Sequence, residues 1–115
     1  MIGIDIVSIS RIEKSIEKFG VKAKNRFMTP NEQKTHIKTS SIAGIWASKE
    51  AFSKAIGTGI GKDFSFLDIE ILKNEKGKPF INILNPSLKT QLSNKKIDIS
   101  ITHDGGFAIA AIIIL

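Results

Sequence analysis

The amino-acid sequence predicts an α+β domain in which an antiparallel sheet packs on one long central helix. Three observations carry that expectation. Alternating apolar residues open the chain at Ile2, Ile4 and Ile6. One long helical period runs from Ile42 to Ile56. Two apolar stretches close the chain around the tight turn Asp104-Gly105-Gly106. Taken in order, these elements fit an antiparallel sheet with segregated helices.

The first strand alternates Ile2, Ile4 and Ile6 with Gly3, Asp5 and Val7, which puts Asp5 on the face opposite the isoleucines. Those isoleucines are expected to face a core. Ser10 with Glu13 has the spacing of a capping box, predicting a helix that ends near Gly20. On that helix Ile12, Ile16 and Phe19 share an apolar face, while Arg11, Lys14 and Lys18 gather on another. Thr29-Pro30-Asn31-Glu32 carries a threonine cap, a proline at the first helical position and a glutamate three residues after the cap. It predicts a short helix that dissolves into Lys38-Thr39-Ser40-Ser41. In the central helix Ala43, Ala47, Ala51 and Ala55 recur every fourth residue, a stripe that permits close packing, and Gly57 caps its end. Strands are expected over Phe64 to Leu72 and Lys78 to Leu84 around the turn Asn74-Glu75-Lys76-Gly77. Asn85-Pro86 opens another short helix, and Ile97 to His103 and Phe107 to Leu115 form the closing strands.

A length of 115 residues allows a single domain spanning 1–115. Area scaling gives a folded surface of roughly 6,200 Å², with about two-thirds of the unfolded surface buried. The absence of cysteine removes disulfides, thiolate metal sites and cysteine nucleophiles. A net charge of +6 favours acidic partners. The N-terminus has no basic region followed by a long apolar stretch, and the longest apolar run, Phe107 to Leu115, is too short to span a bilayer. A cytoplasmic protein without a membrane segment is expected.

Trp46, Glu50, Ser53 and Lys54 share one helical face. Their plain reading is a Glu50–Lys54 surface ion pair, worth only about a few tenths of a kcal/mol. Asp5 argues for more, because aspartate is disfavoured in mid-strand. A strand aspartate beside a helix glutamate would make a two-carboxylate oxygen site of the kind Mg²⁺ takes, with water and substrate phosphates completing it.

The glycine segment Gly57-Thr58-Gly59-Ile60-Gly61-Lys62 is neither a Walker A loop, being one residue short and lacking the following Ser or Thr, nor a Rossmann fingerprint, since it follows a helix. It reads as a helix cap or as a backbone nest for phosphate oxygens. His36 is expected on the solvated surface and His103 at a strand end. With two histidines and no cysteine there is no basis for a zinc site, and no Gly-x-Ser-x-Gly elbow supports a serine hydrolase. The last strand is apolar on both faces and needs cover on both, from the domain's own helices or from another subunit.

Three separated segments, Gly3-Ile4-Asp5-Ile6-Val7, Trp46-Ala47-Ser48-Lys49-Glu50-Ala51-Phe52-Ser53-Lys54-Ala55 and Ser100-Ile101-Thr102-His103, resemble the motifs of the holo-acyl-carrier-protein synthases, the small trimeric class of 4′-phosphopantetheinyl transferases. Phe27-Met28-Thr29-Pro30-Asn31-Glu32, Gly57-Thr58-Gly59-Ile60-Gly61 and Gly77-Lys78-Pro79 fall in family order, so the likeness spans nearly the whole chain. The resemblance implies transfer of phosphopantetheine from coenzyme A to a serine of apo acyl carrier protein, in fatty acid biosynthesis, with release of adenosine 3′,5′-bisphosphate. It implies Mg²⁺ held by Asp5 and Glu50, Lys54 near the phosphates, and His103, Gly57, Thr58, Gly59, Lys78 and Pro79 near coenzyme A. It further implies a homotrimer with shared active sites and an acidic carrier protein, for which Arg11, Lys14 and Lys18 offer a docking stripe. In one respect the chain departs from the family: Ile45 stands where a basic residue often precedes the aromatic, leaving Lys49, Lys62 and Lys78 as unassigned candidates for a phosphate contact.

Two rival classes fit less well. A nucleic-acid module would use the positive charge, but aromatic residues make up only 7% of the chain and no Arg–aromatic platform is interleaved. A purely structural oligomer leaves Asp5, Glu50 and Lys54 without a role.

Overall fold

The computed structural model describes residues 1–115. Strand β1 (Ile2–Ser8) runs straight into helix α1 (Ile9–Phe19), and α2 (Val21–Phe27) follows Gly20. The Ser10–Glu13 capping box is not formed. Ser8 is the N-cap, its hydroxyl pairs with that of Ser10 at 2.9 Å, and the Ile9 amide donates to Gly106 O at 2.9 Å. The sheet itself anchors the first turn, so the helix begins before the side-chain cap could act. Nothing in the residue pattern had marked α2.

Helix α3 (Pro30–Thr35) begins with the expected capping box: Thr29 Oγ1 accepts from the Glu32 amide, and the Thr29 amide donates to Glu32 Oε1. Helix α4 (Thr39–Ile56) starts three residues before the predicted Ile42 and ends at Gly57, whose left-handed φ of 82° favours glycine. The strand expected from Phe64 starts later. Ser65 and Asp68 form a box of their own around a 3₁₀ turn over Phe66–Asp68, and only then does β2 (Ile69–Lys73) begin. It pairs with β3 (Pro79–Ile83) through a turn in which the Asn74 side chain accepts the Lys76 and Lys78 amides. Helix α5 (Pro86–Gln91) is capped by Asn85. Strands β4 (Ile97–Asp104) and β5 (Phe107–Ile114) complete the chain.

Two antiparallel sheets result, a three-stranded one in the order β1-β5-β4 and the β2-β3 ribbon. Helix α4 crosses the larger sheet, with Gly44 against Ile101 of β4 and Ala51 and Ala55 against Gly3 of β1. A side chain at Gly3 would run into the Ala51 carbonyl, so contact at this distance depends on glycine in the strand and alanines in the helix. All four alanines of the stripe are buried.

This close approach reverses the expected inside and outside of β1. Asp5 does lie opposite the isoleucines, but Gly3, Asp5 and Val7 form the face turned to α4. Ile2, Ile4 and Ile6 are 73%, 62% and 57% exposed. Their neighbours in register on β5 are Ile113, Ala111 and Ile109. Helix α4 covers only the other face of β5, where Ala108, Ala110, Ile112 and Ile114 are buried. The domain's own helices therefore leave one apolar sheet face uncovered. The surface of 6963 Å² is about 12% above the value expected for this mass, in keeping with an open face.

Behind α4 lies a buried polar network. Lys49 is wholly buried, and its Nζ donates to Glu32 Oε1 at 2.7 Å and to Phe27 O at 2.6 Å. Glu32 Oε2 accepts the Ile71 amide at 2.7 Å. His36 is buried here too, not solvated as expected. Its Nδ1 meets Ser41 Oγ and its Nε2 meets Ile71 O, each at 2.8 Å. With the carbonyl as acceptor, Nε2 carries the proton and Nδ1 accepts from the serine. Burial holds the His36 pKa below its ordinary value.

Candidate active site

Strand parity turns Asp5 toward α4, and helical periodicity brings Glu50 and Lys54 to the same edge. Lys54 Nζ donates to Asp5 Oδ1 at 2.9 Å and to Ile4 O at 3.3 Å. The plain Glu50–Lys54 pair is not made: the ion pairs of the chain are Lys49–Glu32, Lys54–Asp5 and Lys78–Asp98. Glu50 is half-buried. Its burial first, and the Asp5 carboxylate second, raise its pKa above the usual range, against the pull of Lys54 and Arg11. Two carboxylates and two cations thus meet at the edge of β1 and α4. Ser53 is turned inward, its hydroxyl donating to Glu50 O at 2.6 Å.

The donor set fits a hard dication. A carboxylate whose ionisation is opposed by a second carboxylate gains from a cation placed between them. No third His, Asp or Glu joins them as a metal-holding cluster. Two protein oxygens with the remaining positions left to water and phosphate is the pattern Mg²⁺ takes.

Other residues singled out from the sequence are placed differently. Gly57, Thr58 and Gly59 directly follow Lys54, but their amides turn back to the Ser53 carbonyl, and the Gly61 amide donates to Phe64 O. The segment is a helix cap, and those amides do not form a phosphate nest. The Thr58 hydroxyl, exposed, donates to Gly59 O. His103 is exposed and pairs in register with Ala108, which in turn pairs with Val7. It lies on the Asp5 face of the sheet but two strands away, about 10 Å between strand axes. One chain does not bring the two together. Lys78 is exposed and paired with Asp98 at 3.0 Å, and Pro79 opens β3. Lys49, being buried and paired, is removed from the candidates for a phosphate contact. Lys62 is exposed, and Ile45 is fully buried.

Arg11, Lys14 and Lys18 are exposed, as their helical face predicts. The Arg11 guanidinium lies 5.6 Å over the Trp46 ring, a cation–π contact. Trp46 packs in turn against Phe27 and Phe66. The apolar face of α1 is only partly covered: Ile12 is buried, but Phe19 is 54% exposed. Between α1 and α2 a groove of about 350 Å³ runs past Ile16, Phe19 and Phe27, edged by Arg11, Lys22 and Arg26. Reading α1 alone missed this groove, because its second wall is the helix that no residue pattern had marked.

Comparison with known proteins assigns the class first. The model of the 4′-phosphopantetheinyl transferase superfamily matches residues 1–112. A holo-[acyl-carrier-protein] synthase of Nautilia profundicola is 56% identical over 115 residues, covering 100% of this chain and 99% of the relative. The crystal structure of the Helicobacter pylori synthase in complex with coenzyme A covers 100% of both chains at 49% identity and a TM-score of 0.88. That of the Neisseria meningitidis synthase covers 99% of this chain and 96% of its own at 32% identity, with a TM-score of 0.87. Within the superfamily, the chain belongs to the holo-acyl-carrier-protein synthases.

Proposed function

We propose that this protein transfers the 4′-phosphopantetheine arm of coenzyme A to a serine of apo acyl carrier protein and releases adenosine 3′,5′-bisphosphate. The observation that carries this reading is the full-length match to the synthases, together with the convergence of Asp5, Glu50 and Lys54. The reaction breaks a diphosphate and moves one phosphoryl centre to a hydroxyl, so it needs fixed positive charge where negative charge develops. Asp5 and Glu50 are the residues that would hold Mg²⁺, which when bound neutralises charge on the diphosphate. Lys54 offers an ammonium at the same edge. His103, Gly57, Thr58, Gly59, Lys78 and Pro79 are proposed to lie along coenzyme A. Incubating the protein with coenzyme A, Mg²⁺ and apo carrier protein, then weighing the carrier, tests the reading. The carrier should gain the mass of one phosphopantetheine, and an unmodified carrier would refute the transfer.

The basic stripe of α1 is proposed to dock an acidic carrier protein, and complementary charge chiefly speeds encounter and sets orientation. Arg11→Glu is expected to raise the KM for carrier protein about tenfold or more while the KM for coenzyme A changes little, and added salt should mimic the substitution. Because the Arg11 charge also acts on Glu50, a loss of coenzyme A affinity instead would assign it to the carboxylate site.

A homotrimer is proposed: the uncovered face of β1 and β5 supports cover by another copy of the chain, and the number three is what the likeness to the family implies. The active site is proposed to be shared between neighbouring copies, with His103 of one reaching the Asp5 edge of the next. Light scattering should return three times the 12.6 kDa chain mass. Ile4→Glu, which puts a charge in the middle of the apolar face, should return monomer with lost activity. An active wild-type monomer at assay concentration would overturn the assembly. The cytoplasm, where coenzyme A and apo carrier protein meet, is the proposed site of action.

A further inference from the structure

We infer that Lys54 is the resident counter-ion of Asp5 in the metal-free protein, and that its release couples divalent-cation binding to diphosphate binding. This rests on the reading that Asp5 and Glu50 hold the cation. Two observations carry it. The first is the contact itself: Lys54 Nζ donates to Asp5 Oδ1 at 2.9 Å and to the adjacent Ile4 carbonyl at 3.3 Å, so the ammonium already occupies the carboxylate a cation would use. The second is the asymmetry of the pair. The Asp5 side chain is 15% exposed and held in the sheet face, whereas the Lys54 side chain is 53% exposed. The carboxylate is fixed and the lysine is the partner free to leave.

A pair that open to solvent is weak and can exchange. The buried Lys49–Glu32 pair of the same helix has no such freedom, since neither side chain reaches water. A cation held by Asp5 would be repelled by the ammonium already paired with that carboxylate, which favours Lys54 turning outward to another acceptor. Water serves, but a phosphate oxygen is better, because the hydrogen bond is then charge-assisted at both ends. Before substrate arrives Asp5 is therefore answered by a cation of the protein's own. A dication alone leaves the site with excess positive charge, and an anionic diphosphate removes that excess. Each ligand then strengthens the other, and the coupling is reciprocal by thermodynamic necessity.

Mn²⁺ binding, followed by the electron paramagnetic resonance of the free ion, tests this on the full chain as it assembles in solution. Coenzyme A is present or absent, with coenzyme A alone as the control for its own chelation. Without coenzyme A, Lys54→Met is expected to bind Mn²⁺ about fivefold more tightly than wild type. The gain should exceed that of Arg11→Met, which removes a nearby cation making no hydrogen bond to Asp5. Coenzyme A should tighten Mn²⁺ binding about fivefold or more in wild type and by a smaller factor in Lys54→Met. If Asp5→Ala abolishes Mn²⁺ binding while Lys54→Met leaves it unchanged or weaker, the counter-ion role is overturned and the metal site stands. Equal gains in Lys54→Met and Arg11→Met also overturn it, because they report only the general field. Undiminished Mn²⁺ binding in Asp5→Ala overturns the metal site, and the inference with it.

Discussion

Asp5→Ala and Glu50→Ala are each expected to lower kcat/KM for phosphopantetheine transfer more than about 100-fold. Changing a group that merely supports a metal ligand costs about 10- to 100-fold, and a proposed ligand itself should cost more. Neither substitution should unfold the protein. The Asp5–Lys54 pair is largely exposed on the lysine side and contributes little to stability.

Glu50 gives a sharper check through pH. Its folded-state pKa is raised by burial and by Asp5, so ionising it works against the fold. The stability linked to its neutral form is complete below the ordinary glutamate range and is lost as pH rises through the raised value. Metal-free Glu50→Gln should therefore melt above wild type at neutral pH, with the gap closing in acid. Transfer assays over a Mg²⁺ titration and paired melting curves read both effects. Near-normal turnover in either alanine variant at ordinary Mg²⁺ would remove these residues from the site.

Glu32→Gln is expected to cost about 3–5 kcal/mol of folding stability, because it leaves Lys49 buried without its counter-charge. For a domain of this size that is a fall in Tm of roughly 10–20 °C. Burial pulls the Lys49 pKa down, against the opposing pull of Glu32 first and Glu70 second. The loss is compounded by geometry. Glu32 also caps α3 through the Thr29 amide and holds the Ile71 amide of β2, while Lys49 holds the Phe27 carbonyl that ends α2. The double variant Glu32→Gln with Lys49→Met removes both charges and should recover part of the loss. Chemical denaturation of the three proteins gives the comparison. A Glu32→Gln protein within about 1 kcal/mol of wild type would mean the pair does not hold these elements together.

Local chemistry alone settled much of this molecule. Thr29 and Glu32, Asn85 and Pro86, Gly57, and the Asn74 turn did what their residue types dictate, because each acts over only a few residues of chain. The alanine stripe and the parity of β1 likewise placed Asp5, Glu50 and Lys54 on faces that could meet. Tertiary structure decided what periodicity cannot express. Alternation in β1 separates two faces without saying which is inner, and Gly3 packing on Ala51 made it the face carrying Asp5, leaving the isoleucines outside. Lys54 could pair along its own helix or across to the strand; the close packing of β1 on α4 chose Asp5. Lys49 stands between Ile45 and Phe52 on the core side of α4, yet nothing local says that a lysine there will be wholly buried. That outcome depends on Glu32, seventeen residues away, supplying the opposite charge at 2.7 Å. Buried charge and the choice of inner face are both set by partners distant in sequence, and only the folded chain brings those partners together.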